Sequence, residues 1–221
     1  MKIVCFKYGE ALYPEARLFA DRPGNHKIPL SFCFYLIERE TRKILVDTGC
    51  ESERCFGMYV FQKPLSLLKE YGLVPEDITD VIITHAHYDH IDGLSNYRHA
   101  NIYKQELEYQ EKKELLDEFN NCIIFKDRVE VCNGILVERI GGHTEGSCVV
   151  FAGEYLLCGD DAYYLRNLQD KVRIGICYNK EIAQTFVEKY SESTYKPLFF
   201  HDSSIMPNAV GFEIINETRI F

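Results

Sequence analysis

No apolar run in this chain approaches the roughly 20 residues that a helix needs to cross a bilayer, so no membrane-spanning segment is expected. The N-terminus, Met1-Lys2-Ile3-Val4-Cys5-Phe6-Lys7, lacks the long apolar core and small-residue cleavage site of a signal peptide. A cytoplasmic location is therefore the default expectation. CxxC pairs are also missing, and the nine Cys stand singly, mostly inside apolar, strand-like runs. They read as buried reduced thiols rather than a disulfide framework. Cys50 and Cys55 fall in an expected loop with no ligand-type neighbours. There is no basic stripe, and the formal net charge of −9 argues against affinity for nucleic acid. A small-molecule substrate suits the composition better. No linker or low-complexity tract divides the 221 residues, so a single α/β domain over 1–221 is expected.

The chain does hold many short apolar strands. Met1 to Lys7, Ser31 to Ile37 and Lys43 to Val46 come first, the last closed by Asp47-Thr48-Gly49. Pro64 to Tyr71 has helical spacing, with Leu65, Leu67, Leu68 and Tyr71 on one side and Gly72 as a stop. Val81-Ile82-Ile83 is a buried strand. A helix is expected from about Lys104 to Phe119, with its Glu- and Lys-rich face in solvent. Strands follow at Cys122–Phe125, Val129–Cys132, Ile135–Ile140, Cys148–Phe151 and Tyr155–Leu157. A helix from Glu181 to Tyr190 leads into the strand Pro197–Phe200, and Val210–Ile215 is strand-like with no evident partner. Each half shows several short strands and then a strand-to-helix step. That rhythm predicts two sheets packed face to face with helices outside, a four-layer αββα sandwich.

The Val81 strand ends in Thr84-His85-Ala86-His87-Tyr88-Asp89-His90. Three of the seven His in the chain lie in six consecutive positions, with an Asp among them. Three imidazoles and a carboxylate suit zinc, or iron, manganese or cobalt. Four other apolar runs end in a ligand-type residue: Asp47, His143 in Gly141-Gly142-His143-Thr144, Asp160 after Gly159, and His201 before Asp202. Taken singly, each suits a satisfied buried His or a turn Asp. Together, five His and several Asp are too many for one tetrahedral ion and suit two metals bridged by a carboxylate.

With these residues the chain resembles the metallo-β-lactamase superfamily, and within it the acyl-homoserine-lactone lactonase group. The HxHxDH motif is met by His85, His87, Asp89 and His90, the GGHT turn by His143, the GD step by Asp160 and the late His by His201. Pro29–Gly49, Leu68–His90, Asp160–Tyr163 and the run Phe199-Phe200-His201-Asp202 are similar to the lactonase group. The resemblance implies that His85, His87 and His143 hold one ion and Asp89, His90 and His201 the other, with Asp160 bridging. It places Asp47 behind them, orienting a ligand imidazole through its other ring nitrogen. It makes Tyr163 a phenol near the substrate carbonyl, although Tyr164 is adjacent. After GGHT the family commonly has Pro-Gly-His; here Glu145-Gly146-Ser147 follows, and the missing His is usually not a ligand.

The activity so implied is that of a dinuclear hydrolase, opening a lactone or related ester with a metal-bound hydroxide at neutral pH. Asp89 would pass a proton to the leaving group and Tyr163 would stabilise the developing oxyanion. Alternatives on the same fold are a thioesterase of the glyoxalase II type, for whose helical C-terminal domain the chain lacks room, and a mono-iron redox enzyme. Flavodiiron proteins carry Glu where this chain has His87.

Overall fold

The computed structural model describes residues 1–52 and 56–216. Cys50 lies buried in the core, whereas Cys55 falls outside the described residues. The chain opens with three long antiparallel strands: β1 (Lys2–Pro14), β2 (Lys27–Arg39) and β3 (Arg42–Val46), with the short α1 (Glu15–Leu18) between the first two. β4 (Val60–Phe61) pairs with β1, and α2 (Pro64–Tyr71) begins at a Pro, whose missing N–H is harmless in a first turn. β5 (Asp80–Ile82), β6 (Asn101–Gln105) and β7 (Cys122–Phe125) extend the sheet in parallel from β3. The strand-like tail becomes β13 (Gly211–Ile214), which pairs antiparallel with β1 at the far edge. The second sheet runs in the order β12 (Lys196–Leu198), β11 (Tyr155–Leu157), β10 (Cys148–Ala152), β9 (Ile135–Arg139), β8 (Arg128–Cys132).

Alternation along β1 decides which face goes where. Ile3 and Cys5 join Tyr35, Ile37, Val46, Val137, Val150 and Leu157 in the layer between the sheets. Val4, Phe6 and Tyr8 point the other way, packing with Leu67 and Leu68 of α2 and with Leu116 of α5 (Lys113–Leu116). On the far side, Val149 and Leu156 pack against α6 (Leu165–Gln169) and Phe186, Val187 and Tyr190 of α7 (Lys180–Ser191). Three apolar interfaces separate four layers, so the αββα sandwich expected from the rhythm of elements is the one observed. Each large side chain in them contributes about 1.5–3 kcal/mol by burial.

One expected element is corrected. The helix from about Lys104 to Phe119 starts later and is broken, because Lys104 and Gln105 complete β6 between β5 and β7. Gln105 then caps α4 (Glu106–Glu111), its side-chain oxygen accepting from the Leu107 N–H at 2.6 Å. Nor is its acidic face wholly solvated, since Glu108 is 2% exposed.

An ion pair clamps the strands that lead to the His-rich loop. Arg42 on β3 donates to both oxygens of Asp80 on β5, through Nε at 2.8 Å and through Nη2, and also to the Val131 carbonyl of the second sheet. Burial pushes the Asp80 carboxyl up, but hydrogen bonds from Arg42, Thr79 and Asn101 hold it below its ordinary value. A depressed native value means that this contribution is complete above the unfolded pKa near 4 and fades as pH falls through the native one. Asp80→Asn is expected to lower unfolding stability at pH 7 by about 3 kcal/mol. The gap from the unsubstituted chain should shrink below about pH 4 in denaturant titrations; a gap independent of pH would refute this role.

Candidate metal centre

The five strands that precede the ligand-type residues are parallel within each sheet. β3 and β5 run together in one, while β9, β11 and β12 share a direction in the other. Their C-terminal ends therefore meet at one edge. β3 delivers Asp47, and β5 delivers Thr84 to His87. His87 is the N-cap of α3 (Tyr88–Ile91), a single turn that carries Asp89 and His90. β9 leads to His143, β11 to Asp160 and β12 to His201.

Their ligand-type atoms fall into two groups, each within 4.8 Å: His85, His87, His143 and Asp160, and then Asp89, His90 and His201. His87 Nδ1 lies 2.9 Å from His85 Nε2 and 3.0 Å from His143 Nε2. Asp160 faces both groups. Its Oδ2 is 3.5 Å from His85 Nε2 and 3.4 Å from His143 Nε2, while Oδ1 is 3.2 Å from His90 Nε2 and 3.1 Å from His201 Nε2. Asp89 Oδ2 is 3.7 Å from both His90 and His201 Nε2.

The opposite ring nitrogens are anchored. His90 Nδ1 meets Asp47 Oδ2 at 2.7 Å, and His201 Nδ1 donates to the Ser31 carbonyl at 2.7 Å. Asp47 also accepts from the Thr84 N–H at 2.8 Å and the Thr84 hydroxyl at 2.7 Å. It holds these three bonds in a left-handed backbone conformation, φ +61°. Asp tolerates that region better than most residues, and such local strain marks positions that their surroundings over-determine.

Burial pushes His143 down to about 4 and His85 well below its ordinary value, which leaves neutral rings with lone pairs to offer. Burial acts on His90 in the same direction, yet Asp160, Asp47 and Asp89 together raise it. Burial raises Asp160, but His201, His90, His85 and His143 pull it well below the carboxylate range. Its neighbour Asp161, pushed up to about 7 by burial, accepts from the His143 N–H at 2.9 Å and so braces that loop. Among the described residues, buried His90 Nε2 and Asp160 Oδ1 make no well-aligned hydrogen bond, although they lie 3.2 Å apart. Buried polar atoms require partners, and five imidazoles with two carboxylates converging on these orphans fit divalent cations, which compete for the same lone pairs as protons.

Two features had no signal in the sequence. Glu108 reaches in from α4 and joins the two His loops. Its Oε2 accepts from the Ala86 N–H at 2.6 Å, between His85 and His87, and its Oε1 accepts from the Thr144 hydroxyl at 2.5 Å and the Gly146 N–H at 3.1 Å. The other feature is a cavity of about 380 Å³ that opens over His87, Asp89, His143, Asp160 and His201. Leu30, Phe32, Phe56 and Ile176 supply apolar wall, and Tyr13 and Arg17 come from the start of the chain. Tyr163 lines it too, its hydroxyl 3.5 Å from His143 Nδ1 and its ring 5.3 Å from that of His201. Tyr164 turns away, donating to the Pro29 carbonyl and packing on Phe19 at 5.5 Å between centroids.

Comparison with known proteins agrees with this geometry. An N-acyl homoserine lactonase of Bacillus cereus is 26% identical, over 86% of this chain and 91% of its own. The crystal structure of a quorum-quenching N-acyl homoserine lactone lactonase superposes with a TM-score of 0.82 at 24% identity, covering 97% of this chain and 98% of that one. A dizinc quorum-quenching lactonase, solved with the product N-hexanoyl-L-homoserine, matches with a TM-score of 0.73 at 17% identity, over 99% of this chain and 95% of its own. The family model of the metallo-β-lactamase superfamily matches residues 34–175, which include every cavity residue named above except Tyr13, Arg17, Leu30, Phe32, Ile176 and His201. The chain belongs to the metallo-β-lactamase superfamily.

Proposed function

We propose that this chain is a single-domain, metal-dependent hydrolase that opens a lactone of the N-acyl homoserine type. The reading rests most on Asp160, whose two oxygens divide between a pair of imidazole groups as a carboxylate bridging two ions would. His85, His87 and His143 would hold one ion, and Asp89, His90 and His201 the other. Zinc is the ion proposed, since it accepts nitrogen and carboxylate donors together and is present in one of the related folds. Bound there, the pair supplies Lewis acidity and lowers the pKa of water toward neutrality.

The protein's own groups do the rest. Phe32, Leu30 and Ile176 exclude water from the acyl part of the substrate and fix its approach. The Tyr163 hydroxyl stays protonated, because burial raises its pKa well above the ordinary value, and it donates toward the oxygen on which charge develops. The Asp89 carboxylate, beside the reacting centre, would accept the proton that the attacking water gives up and pass it to the departing ring oxygen.

Metal analysis of the purified protein, followed by a panel of lactones and thioesters, tests the reading. About two zinc per chain with lactone turnover is expected. One iron with O₂ or peroxide turnover, or thioester cleavage without lactone opening, would overturn it. Tyr163→Phe should lower kcat about 10- to 1000-fold, the scale of losing one preorganised donor, with a smaller change in KM and unchanged metal content. Tyr164→Phe should leave kcat alone, because its hydroxyl serves Pro29.

A further inference from the structure

Arg17 is the only Lys or Arg lining the cavity among the described residues, in a chain whose net charge is −9. Its Nη1 donates to the Tyr13 hydroxyl at 3.1 Å, and its guanidinium lies 5.6 Å from the centroid of that ring. That bond uses one of five N–H donors and leaves the Tyr13 hydroxyl proton available to another acceptor. No carboxylate lies within ion-pair distance of Arg17 among the described residues. Glu15, two positions away on α1, is turned to His26 at 3.1 Å and Arg166 at 3.7 Å.

The backbone behind Arg17 is held firmly. Its carbonyl accepts from the Gly175 N–H at 3.0 Å and the Ile176 N–H at 3.1 Å. The two segments approach so closely that a Cβ on residue 175 would stand 1.9 Å from the Ala16 carbonyl oxygen, so only glycine fits there. This junction places Arg17 and Ile176 together on the wall of one cavity.

We propose that Arg17 and Tyr13 form an anion-reading fork and that the natural substrate carries a carboxylate or comparable anionic group besides its scissile ester. This rests on the hydrolase reading for the reaction but not for the contact itself. A neutral alkyl chain satisfies the apolar wall but offers no acceptor to either donor, which it leaves to water. A carboxylate accepts from the guanidinium and the phenol together, in the planar geometry that favours Arg over Lys.

The test uses two probes alike in shape: homoserine lactone acylated with an adipoyl group ending in carboxylate, and the same molecule ending in carboxamide. Binding of their ring-opened forms to the zinc-loaded protein is measured by calorimetry, and opening of the intact lactones is measured separately. The carboxylate form should bind about 5- to 30-fold more tightly, the range between an exposed ion pair and a hydrogen bond to a charged group. Arg17→Gln should bring that ratio near unity, and Arg17→Lys should keep part of it. Equal binding of the two probes to the unsubstituted protein, or a preference that survives Arg17→Gln, would overturn the proposal. A clear binding preference with neither lactone opened would leave the fork standing and sink the hydrolase reading instead.

Discussion

If the proposed two-ion centre is right, Asp160→Ala is expected to release both ions and to lower kcat/KM for lactone opening more than about 1000-fold, roughly 4 kcal/mol of transition-state stabilisation. The reason lies in how its carboxylate is shared. Removing His87 would take one donor from one group, whereas removing Asp160 takes an oxygen from each, 3.1–3.5 Å from four imidazole nitrogens. The substitution also withdraws the anion that most raises His90 and His201, so both rings shift toward the neutral form and lose the carboxylate that faces them. The fold should persist, because Asp160 is held by the site rather than by the core clusters that separate the layers. Metal analysis by mass spectrometry and a thermal melt read the two expectations separately. A variant that retains one full equivalent of metal would assign Asp160 to a single ion and refute the bridging role.

Glu108→Ala should be nearly as damaging, although Glu108 belongs to neither ligand-type group. Its carboxylate accepts three hydrogen bonds while 2% exposed, so truncation strands the Ala86 and Gly146 N–H groups and the Thr144 hydroxyl. Breaking a buried charged network of this kind costs about 3–5 kcal/mol. Ala86 separates His85 from His87, and Thr144 follows His143, so the same change loosens the three imidazoles of one group together. Losing an outer support of this kind weakens metal binding about 10- to 100-fold. Glu108→Gln keeps one acceptor oxygen but turns an NH₂ toward donors, and it should fall between the two. Competition with a chelator measures the affinity, and urea unfolding measures the stability. Unchanged chelator resistance in Glu108→Ala would show that the His loops hold their shape unaided.

From the sequence alone came the ligand-type residues and the layers. Both are periodic or local: His85, His87, Asp89 and His90 are crowded into six positions, and strands such as Ser31 to Ile37 declare themselves by runs of apolar residues. Local pattern failed at Lys104–Phe119, where helix-forming composition lost to the hydrogen bonds that β6 makes with both neighbouring strands. The same stretch hid Glu108, because a charged residue on a surface helix looks alike whether it meets water or the N–H of a distant loop. Only the tertiary structure separated Tyr163 from Tyr164, since adjacent residues differ in direction rather than in type. Only it brought Tyr13, at the end of β1, and Arg17, on α1, to a cavity whose other groups lie between residues 30 and 201. Chemistry that needs several ligands close together on the chain is legible in one dimension. Chemistry assembled by packing distant segments is decided by the approach of backbones, here as close as Ala16 and Gly175.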